Sequence, residues 1–265
     1  MNFTKMHGIG NDFILIDCLN QETLQTCSDL FWVDFSIQYC ERRKGIGADQ
    51  LLLLLPSKIG DYRMRIFNSS GGEVEMCGNG IRCLAQYIWD NNLSDNDVLN
   101  IETLAGIIKP KRNGDLITVD MGLPKLEGAV INKPFNISDK TFLITTVSMG
   151  NPHAVILVDD VPSFPVAVYG PLIETNDFFP KKTNVEFIKI LDKQTIQMRV
   201  WERGAGETLA CGTGASAAAV ASRLLGHTGN NVKVILTGGD LDIEWDGKGS
   251  VYMTGPAVSV FKGTL

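Results

Sequence analysis

The chain has 265 residues, 44% of them hydrophobic and 20% charged, with a formal net charge of −6. That length can bury a substantial core in one large domain or two ordinary ones, and the composition is that of a soluble globular protein. The 24 Lys and Arg residues are scattered rather than gathered into a run that could follow a phosphate backbone, which argues against nucleic acid as a partner.

Along the chain, the N-terminus Met1 to His7 lacks the basic start and apolar stretch of a secretory signal, so the expected compartment is the cytoplasm, with reduced thiols. Asp12 to Asp17 reads as a strand. Ser28 is an N-cap candidate for a helix over Asp29 to Arg42, with Leu30, Val33 and Ile37 at helical spacing. The longest apolar block, Leu51 to Leu55, is far short of the roughly 20 residues that cross a bilayer, so no membrane span is expected and the block reads as a buried strand within Gln50 to Leu55. Tyr62 to Asn68 is another strand. A helix follows over Gly78 to Trp89, where Ile81, Leu84, Ala85 and Ile88 mark one face.

Turn-rich sequence at Asn113-Gly114 and from Gly122 to Pro134 places a domain boundary near the middle. Strands are then expected at Leu116 to Met121, Phe142 to Ser148 and Ala154 to Val158. In Gln194 to Trp201, apolar Ile196, Met198 and Val200 alternate with polar residues, the period of a half-buried strand. A helix over Gly212 to Leu225 contains Ala215 to Ala221, which has no polar face and should be enclosed all round. Strands near Val232 to Leu236, Leu241 to Trp245 and Ser250 to Met253 close the pattern.

The most informative feature is a repeat. Gly72-Glu73-Val74-Glu75-Met76-Cys77-Gly78-Asn79-Gly80 aligns with Gly206-Glu207-Thr208-Leu209-Ala210-Cys211-Gly212-Thr213-Gly214 at five of nine positions. Each segment follows a strand and opens a helix, and Asn68 and Glu202 each stand nine residues before the cysteine. The shared context implies two halves of one ancestral unit. The first amides of a helix lack intrahelical acceptors and carry the positive end of its dipole, so a Cys-Gly-x-Gly there can receive a carboxylate and lower the thiol toward neutrality. One such motif is usually an inert buried cysteine at a Gly-rich turn. Two in matching context suit a thiol acid and a thiol base on opposite faces of one carbon, the arrangement that inverts a stereocentre.

At these motifs the sequence resembles the diaminopimelate epimerases, cofactor-independent amino-acid epimerases related to proline racemases and phenazine-biosynthesis isomerases. The resemblance covers essentially the whole chain. It is carried also by Met6 to Phe13, Gly45 to Gln50, Glu75 to Cys83, Met149 to His153, Thr183 to Phe187 and Glu202 to Thr208. It implies an α/β fold of two pseudo-symmetric domains, each a curved, mainly antiparallel sheet or barrel around a central helix, with the site in the cleft between them. The halves are expected at 1–115 and 116–255, with a last strand at 256–265 returning to the first.

The implied activity is interconversion of LL- and meso-2,6-diaminoheptanedioate, toward lysine and peptidoglycan precursors, without pyridoxal phosphate, metal or other cofactor, in a homodimer. Cys77 and Cys211 are the implied catalytic pair, supported by His153 and Glu202. The implied substrate positions are Asn11, Gln50, Asn68, Gly78, Asn79, Asn151, Asn184, Glu202, Arg203, Gly212 and Thr213. Arg203 can fork onto a distal carboxylate and Glu202 can accept from an ammonium. Cys18, Cys27, Cys40 and Cys83 are expected to be structural. Two departures from the family pattern are Ser216, where relatives often carry cysteine, and Ser69-Ser70-Gly71, where they often read Ala-Asp-Gly; neither is expected to impair activity.

Three rivals remain at the level of sequence. A proline or hydroxyproline racemase is disfavoured by Glu202-Arg203, since a substrate with one carboxylate leaves the arginine without a partner. A non-catalytic amino-acid binding protein needs no paired thiols. A thiol-disulfide oxidoreductase is disfavoured by the lack of Cys-x-x-Cys, and a zinc site by the wide separation of His7, His153 and His227.

Overall fold

The computed structural model describes residues 1–20 and 28–265. Cys27 lies outside them, while Cys18, Cys40 and Cys83 are buried. The chain forms two compact units, Met1–Val119 with Gly255–Leu265, and Asp120–Thr254.

The first stretch of chain forms β1 (Asn2–Gly8), β2 (Asn11–Asp17), α1 (Asp29–Cys40), β3 (Gln50–Leu55), β4 (Tyr62–Asn68), β5 (Glu73–Val74), α2 (Gly78–Asp90), β6 (Ile101–Thr103), β7 (Gly106–Ile108), β8 (Lys111–Asn113) and β9 (Leu116–Asp120). The next forms β10 (Lys133–Ile137), β11 (Lys140–Ser148), β12 (Pro152–Leu157), α3 (Val166–Glu174), β13 (Asn184–Asp192), β14 (Thr195–Glu202), β15 (Gly206–Thr208), α4 (Gly212–Leu224), β16 (Asn231–Leu236), β17 (Gly239–Glu244) and β18 (Tyr252–Gly255). The chain ends in β19 (Val258–Thr264), which pairs antiparallel with β1.

In the first unit the strand order is β19-β1-β2-β3-β4-β6-β7, with β5 on β4; in the second it is β10-β11-β12-β13-β14-β16-β17-β18, with β15 on β14. Both orders are open, so of the sequence-based alternatives it is the curved sheet and not the closed barrel that holds. The duplication extends to strand direction. β2 and β3 are parallel, β3 and β4 antiparallel, β4 and β6 parallel. The same succession recurs in β12 with β13, β13 with β14, and β14 with β16. Each parallel step needs a crossover, supplied by α1 and α3 for the first pairs and by α2 and α4 for the second.

Helices on both faces explain the uninterrupted leucines of β3. Leu51, Leu53 and Leu55 share a cluster with Trp32 and Phe35 of α1, while Leu52 points at Gly80 of α2. A strand covered on both sides reads as a continuous apolar run. In the second unit Val166, Tyr169 and Ile173 of α3 pack on Ala154, Ile156, Val185 and Phe187. The other face carries α4, in which Ala215 to Ser222 are all buried, as its lack of a polar face requires.

Two helices differ from the sequence reading. Ser28 does cap α1, its hydroxyl accepting the Phe31 N–H, but the helix stops at Cys40 because Glu41 is extended and its carboxylate turns back to the Arg43 and Lys44 amides. The buried face holds Trp32, Phe35, Ser36 and Cys40, whereas Leu30 and Ile37 are exposed. The helix is apolar nearly all round, and its aromatic side chains, with more area to bury, take the inner positions. The second difference is α3, a helix with Pro171 inside it for which the sequence reading set no expectation. Gly170 is there for close approach: a Cβ on it would stand 2.6 Å from the Trp201 ring.

Candidate active site

Cys77 is the N-cap of α2, with φ −136° and ψ 118°, and its sulfur accepts the Gly80 N–H at 3.4 Å. Gly78 and Asn79 supply the first amides and are buried. Asn11, at the start of β2, places Oδ1 3.6 Å from the Cys77 sulfur and 3.2 Å from Asn79 Nδ2. Its own Nδ2 donates to Asp49 Oδ2 at 2.9 Å. Asn79 Oδ1 in turn accepts from Arg82 Nη2 at 3.0 Å. At the same strand ends Gln50 and Asn68 face each other across β3 and β4, with Gln50 Nε2 donating to Asn68 Oδ1 at 2.7 Å. Gln50 Oε1 is buried and accepts no hydrogen bond, an acceptor suited to an incoming N–H group.

Cys211 caps α4 in nearly the same backbone conformation, φ −136° and ψ 111°, and accepts the Gly214 N–H at 3.4 Å. Thr213 Oγ1 lies 3.5 Å from its sulfur and accepts from Asn151 Nδ2 at 3.3 Å. Asn151 Oδ1 meets His153 Nε2 at 2.9 Å, and His153 Nδ1 meets Glu186 Oε1 at 2.7 Å. His153 and Glu186 are both buried. By hydrogen bonds the histidine reaches the sulfur through Asn151 and Thr213. Glu202 ends β14 and accepts the Thr208 hydroxyl at 2.5 Å.

Asn184 is spent on backbone, donating to Pro152 O at 2.9 Å and accepting the Arg203 N–H at 3.0 Å, so it shapes the turn that carries Arg203. The exposed Arg203 guanidinium bonds Lys181 O at 3.2 Å. Glu174 of α3 holds the next residue by accepting the Gly204 N–H at 3.0 Å.

Burial pushes the Cys211 thiol well above its ordinary range, and the carboxylates of Glu202 and Glu186 add to it; the Thr213 hydroxyl and Gly214 N–H pull the other way without offsetting it. The sequence argument expected the opposite, a thiol lowered toward neutrality by the helix end. It fails here because one N–H at 3.4 Å is a weak return for full desolvation of a thiolate. Burial likewise raises the Glu186 carboxyl, against the pull of His153.

The family profile for diaminopimelate epimerase matches residues 3–127 and 145–260. A diaminopimelate epimerase of Carboxydothermus hydrogenoformans is 51% identical over 275 residues, covering 99% of this chain and 98% of the relative. The chain belongs to the diaminopimelate epimerase family. The Moorella thermoacetica member is 49% identical over 279 residues, again covering 99% of this chain and 98% of the relative. Solved structures share the fold at low identity. A phenazine biosynthesis protein of the PhzF family from Bacillus anthracis superposes with TM-score 0.74 at 17% identity, over 99% of this chain and 98% of that one. A hydroxyproline epimerase from Agrobacterium vitis, with bound trans-4-hydroxy-L-proline, gives 0.71 at 14%, over 99% and 91%.

Within this diaminopimelate epimerase family member, four polar residues of the site surroundings escaped the sequence reading: Asp49, Arg82, Glu174 and Glu186. Asp49, Arg82 and Glu186 sit inside the very segments that carry the family resemblance, so a signal was present. What sequence could not supply was the role: Asp49 and Glu186 act through neighbours brought close by strand pairing, Arg82 through Asn79 one helical turn back, and Glu174 through the turn after β14. Ser216 replaces the frequent cysteine without disturbance, its buried hydroxyl donating to Gly212 O at 2.9 Å.

Proposed function

We propose that this protein interconverts LL- and meso-2,6-diaminoheptanedioate by proton transfer at the α-carbon, with Cys77 and Cys211 as the two proton-transfer groups. The observation that carries the reading is the repeated cap: two cysteines with the same φ, each accepting the N–H three residues on at 3.4 Å, in two units with the same succession of strand directions. Membership in the diaminopimelate epimerase family supports the substrate.

In the forward half of the exchange a thiolate takes the α-proton and becomes a thiol, while the other thiol gives its proton to the opposite face and becomes a thiolate. The protein then stands in the mirrored protonation state, ready for the reverse direction. The α-carboxylate is held by the first amides of the helices, at Gly78-Asn79 and Gly212-Thr213, where hydrogen-bond donors and the dipole favour an anion. These donors also stabilise the charge that spreads onto the carboxylate when the α-proton leaves. Cys211, raised by burial, carries its proton in the ligand-free protein and is the donor there. Gln50, Asn68, Asn11, Asn151 and Arg203 bind the ammonium and distal groups, Glu202 accepts from an ammonium, and Asn184 and His153 hold these partners in place. The cytoplasm and a homodimeric assembly belong to the same reading. No helix among the described residues is long and apolar enough to cross a membrane.

The test is incubation with diaminopimelate in deuterated water, with proline as control. Deuterium at the α-carbon together with inversion is expected for diaminopimelate and not for proline. Exchange with proline alone would overturn the assignment.

A further inference from the structure

The residues around Cys77 form a hydrogen-bonded chain with a fixed charge at each end. Arg82 is fully buried; burial lowers its guanidinium to about 10, so it stays charged at neutral pH. A guanidinium only donates, so the group 3.0 Å from Arg82 Nη2 is the Asn79 carbonyl oxygen, and the Asn79 amino group points to Asn11. At the other end the Asp49 carboxylate is ion-paired with Arg42, whose Nη2 lies 2.6 Å from its Oδ1. A carboxylate only accepts, so the group 2.9 Å from Asp49 Oδ2 is the Asn11 amino group. Both ends demand the same outcome. The Asn11 carbonyl oxygen faces Asn79 Nδ2 and the Cys77 sulfur, at 3.2 Å and 3.6 Å.

We infer that Asp49 is a positioning residue for the epimerase reaction: it locks the Asn11 amide so that a carbonyl, not an amino group, meets Cys77, and so raises the proton affinity of that thiol. The inference rests on Cys77 being a proton-transfer group. An acceptor beside the sulfur takes a hydrogen bond from the S–H form and repels the thiolate, which makes the Cys77 thiolate the stronger base once it is formed. The ammonium of an arriving amino acid, a positive charge beside the sulfur, offsets the carbonyl, and the Cys77 proton passes to solvent. Asp49 contacts neither the sulfur nor, on this reading, the substrate. Its backbone and side chain are instead tied to β2, accepting the Asp12 N–H at 3.1 Å and donating its own N–H to Asp12 Oδ1 at 2.9 Å.

The orientation itself is read in the unaltered, ligand-free, isotope-labelled protein by nuclear Overhauser contacts of the Asn11 side-chain NH2. Contacts to the Asp49 β-protons are expected; contacts to the Cys77 β-protons instead would overturn the inference. The consequence is read by following alkylation of Cys77 with iodoacetamide against pH, resolved by mass spectrometry. Asp49→Asn should move the Cys77 midpoint down by about one pH unit, the size of one hydrogen bond to a charged form. In the Asn11→Leu background, which already lacks the carbonyl, Asp49→Asn should move it no further. An unchanged midpoint in the single variant, or an equal shift in both backgrounds, which marks simple loss of a negative charge, would refute the role. These readouts need no turnover. A null result in them leaves the epimerase assignment standing, and failure of the deuterium test leaves them interpretable.

Discussion

The Cys77 and Cys211 motifs are alike in backbone and unlike in what lies one contact beyond the sulfur. The two caps share a φ of −136°, an N–H···S contact of 3.4 Å and the same strand sequence leading in. Around Cys77, however, two amides are strung between the Arg82 guanidinium and the Asp49 carboxylate. Around Cys211 the corresponding chain runs through Thr213 and Asn151 to His153 and Glu186, a buried pair whose carboxyl is raised by burial. Duplication thus preserved the part that a thiol at a helix start needs, and divergence placed the raised carboxyl of Glu186 in the second unit.

The strongest way to break the comparison is to remove each sulfur. Cys77→Ala and Cys211→Ala should each lower epimerisation by on the order of 10²–10⁴-fold, the range for loss of a positioned acid or base. Inversion measured by chiral separation of the product checks this. Full activity in either variant would mean that only one half carries chemistry and that the likeness of the caps is ancestral residue.

The third motif glycine separates the halves more finely. A Cβ on Gly214 would stand 2.8 Å from Glu186 Oε1 and 3.2 Å from the Cys211 sulfur, whereas on Gly80 it meets Leu52 Cδ2 at 3.1 Å and Cys77 Cβ at 3.4 Å. A leucine methyl can turn aside; a carboxylate held by a buried histidine cannot. Gly214→Ala should therefore cost about 2–3 kcal/mol through overpacking. Gly80→Ala should be near neutral, since the helix-propensity gain of up to about 1 kcal/mol offsets a small readjustment. Urea midpoints of the two variants decide it, and equal losses would show that the two helix starts are packed alike.

Much of this was legible in the sequence. The caps, the buried leucines of β3 and the enclosed alanine helix α4 all follow from local pattern, because in each the residue type states its own environment. The motif repeat pointed to two related halves, but not to the directions of their strands. What stayed hidden depends on pairing across the chain. Asp49 and Asn11 are 38 residues apart and meet because β2 and β3 run parallel side by side. Glu186 meets His153 for the same reason across β12 and β13. The direction of the Cys211 shift was missed because a helix start is visible in sequence while complete burial of the sulfur is a property of the packed unit.

The raised carboxyl in the second unit is tested by Glu186→Gln, which keeps the side-chain volume and removes the charge. Two effects follow from one cause: His153 loses its anionic partner, and Cys211 loses one of the carboxylates that raise it. Turnover should fall about tenfold, near the value of one charge-assisted hydrogen bond. The alkaline limb of the pH-rate profile, where Cys211 loses its proton, should move to lower pH, and the Cys77 alkylation midpoint should stay in place. A profile that keeps its shape while turnover drops would reduce Glu186 to packing.

The first unit should respond to pH as well, but in its stability and in acid. Burial acts to raise Asp12, and hydrogen bonds and charge from Arg42 and Lys5 outweigh it, holding the carboxyl at about 2 against an ordinary 3.8. A depressed carboxyl contributes stability that is present above the unfolded value and lost as pH falls through the folded one. Its contribution is thus complete above about pH 4 and gone near pH 2. Arg42 is 58% exposed, so solvent screening trims the contribution to roughly 1 kcal/mol. Asp12→Asn should lower the urea midpoint at pH 7 by that amount, and the gap from the parent should shrink as pH falls from about 4 toward 2. A gap that persists unchanged at the lowest pH would show that Asp12 serves β2 by shape and not by charge, and would leave the first unit without an acid-sensitive element beside its amide chain.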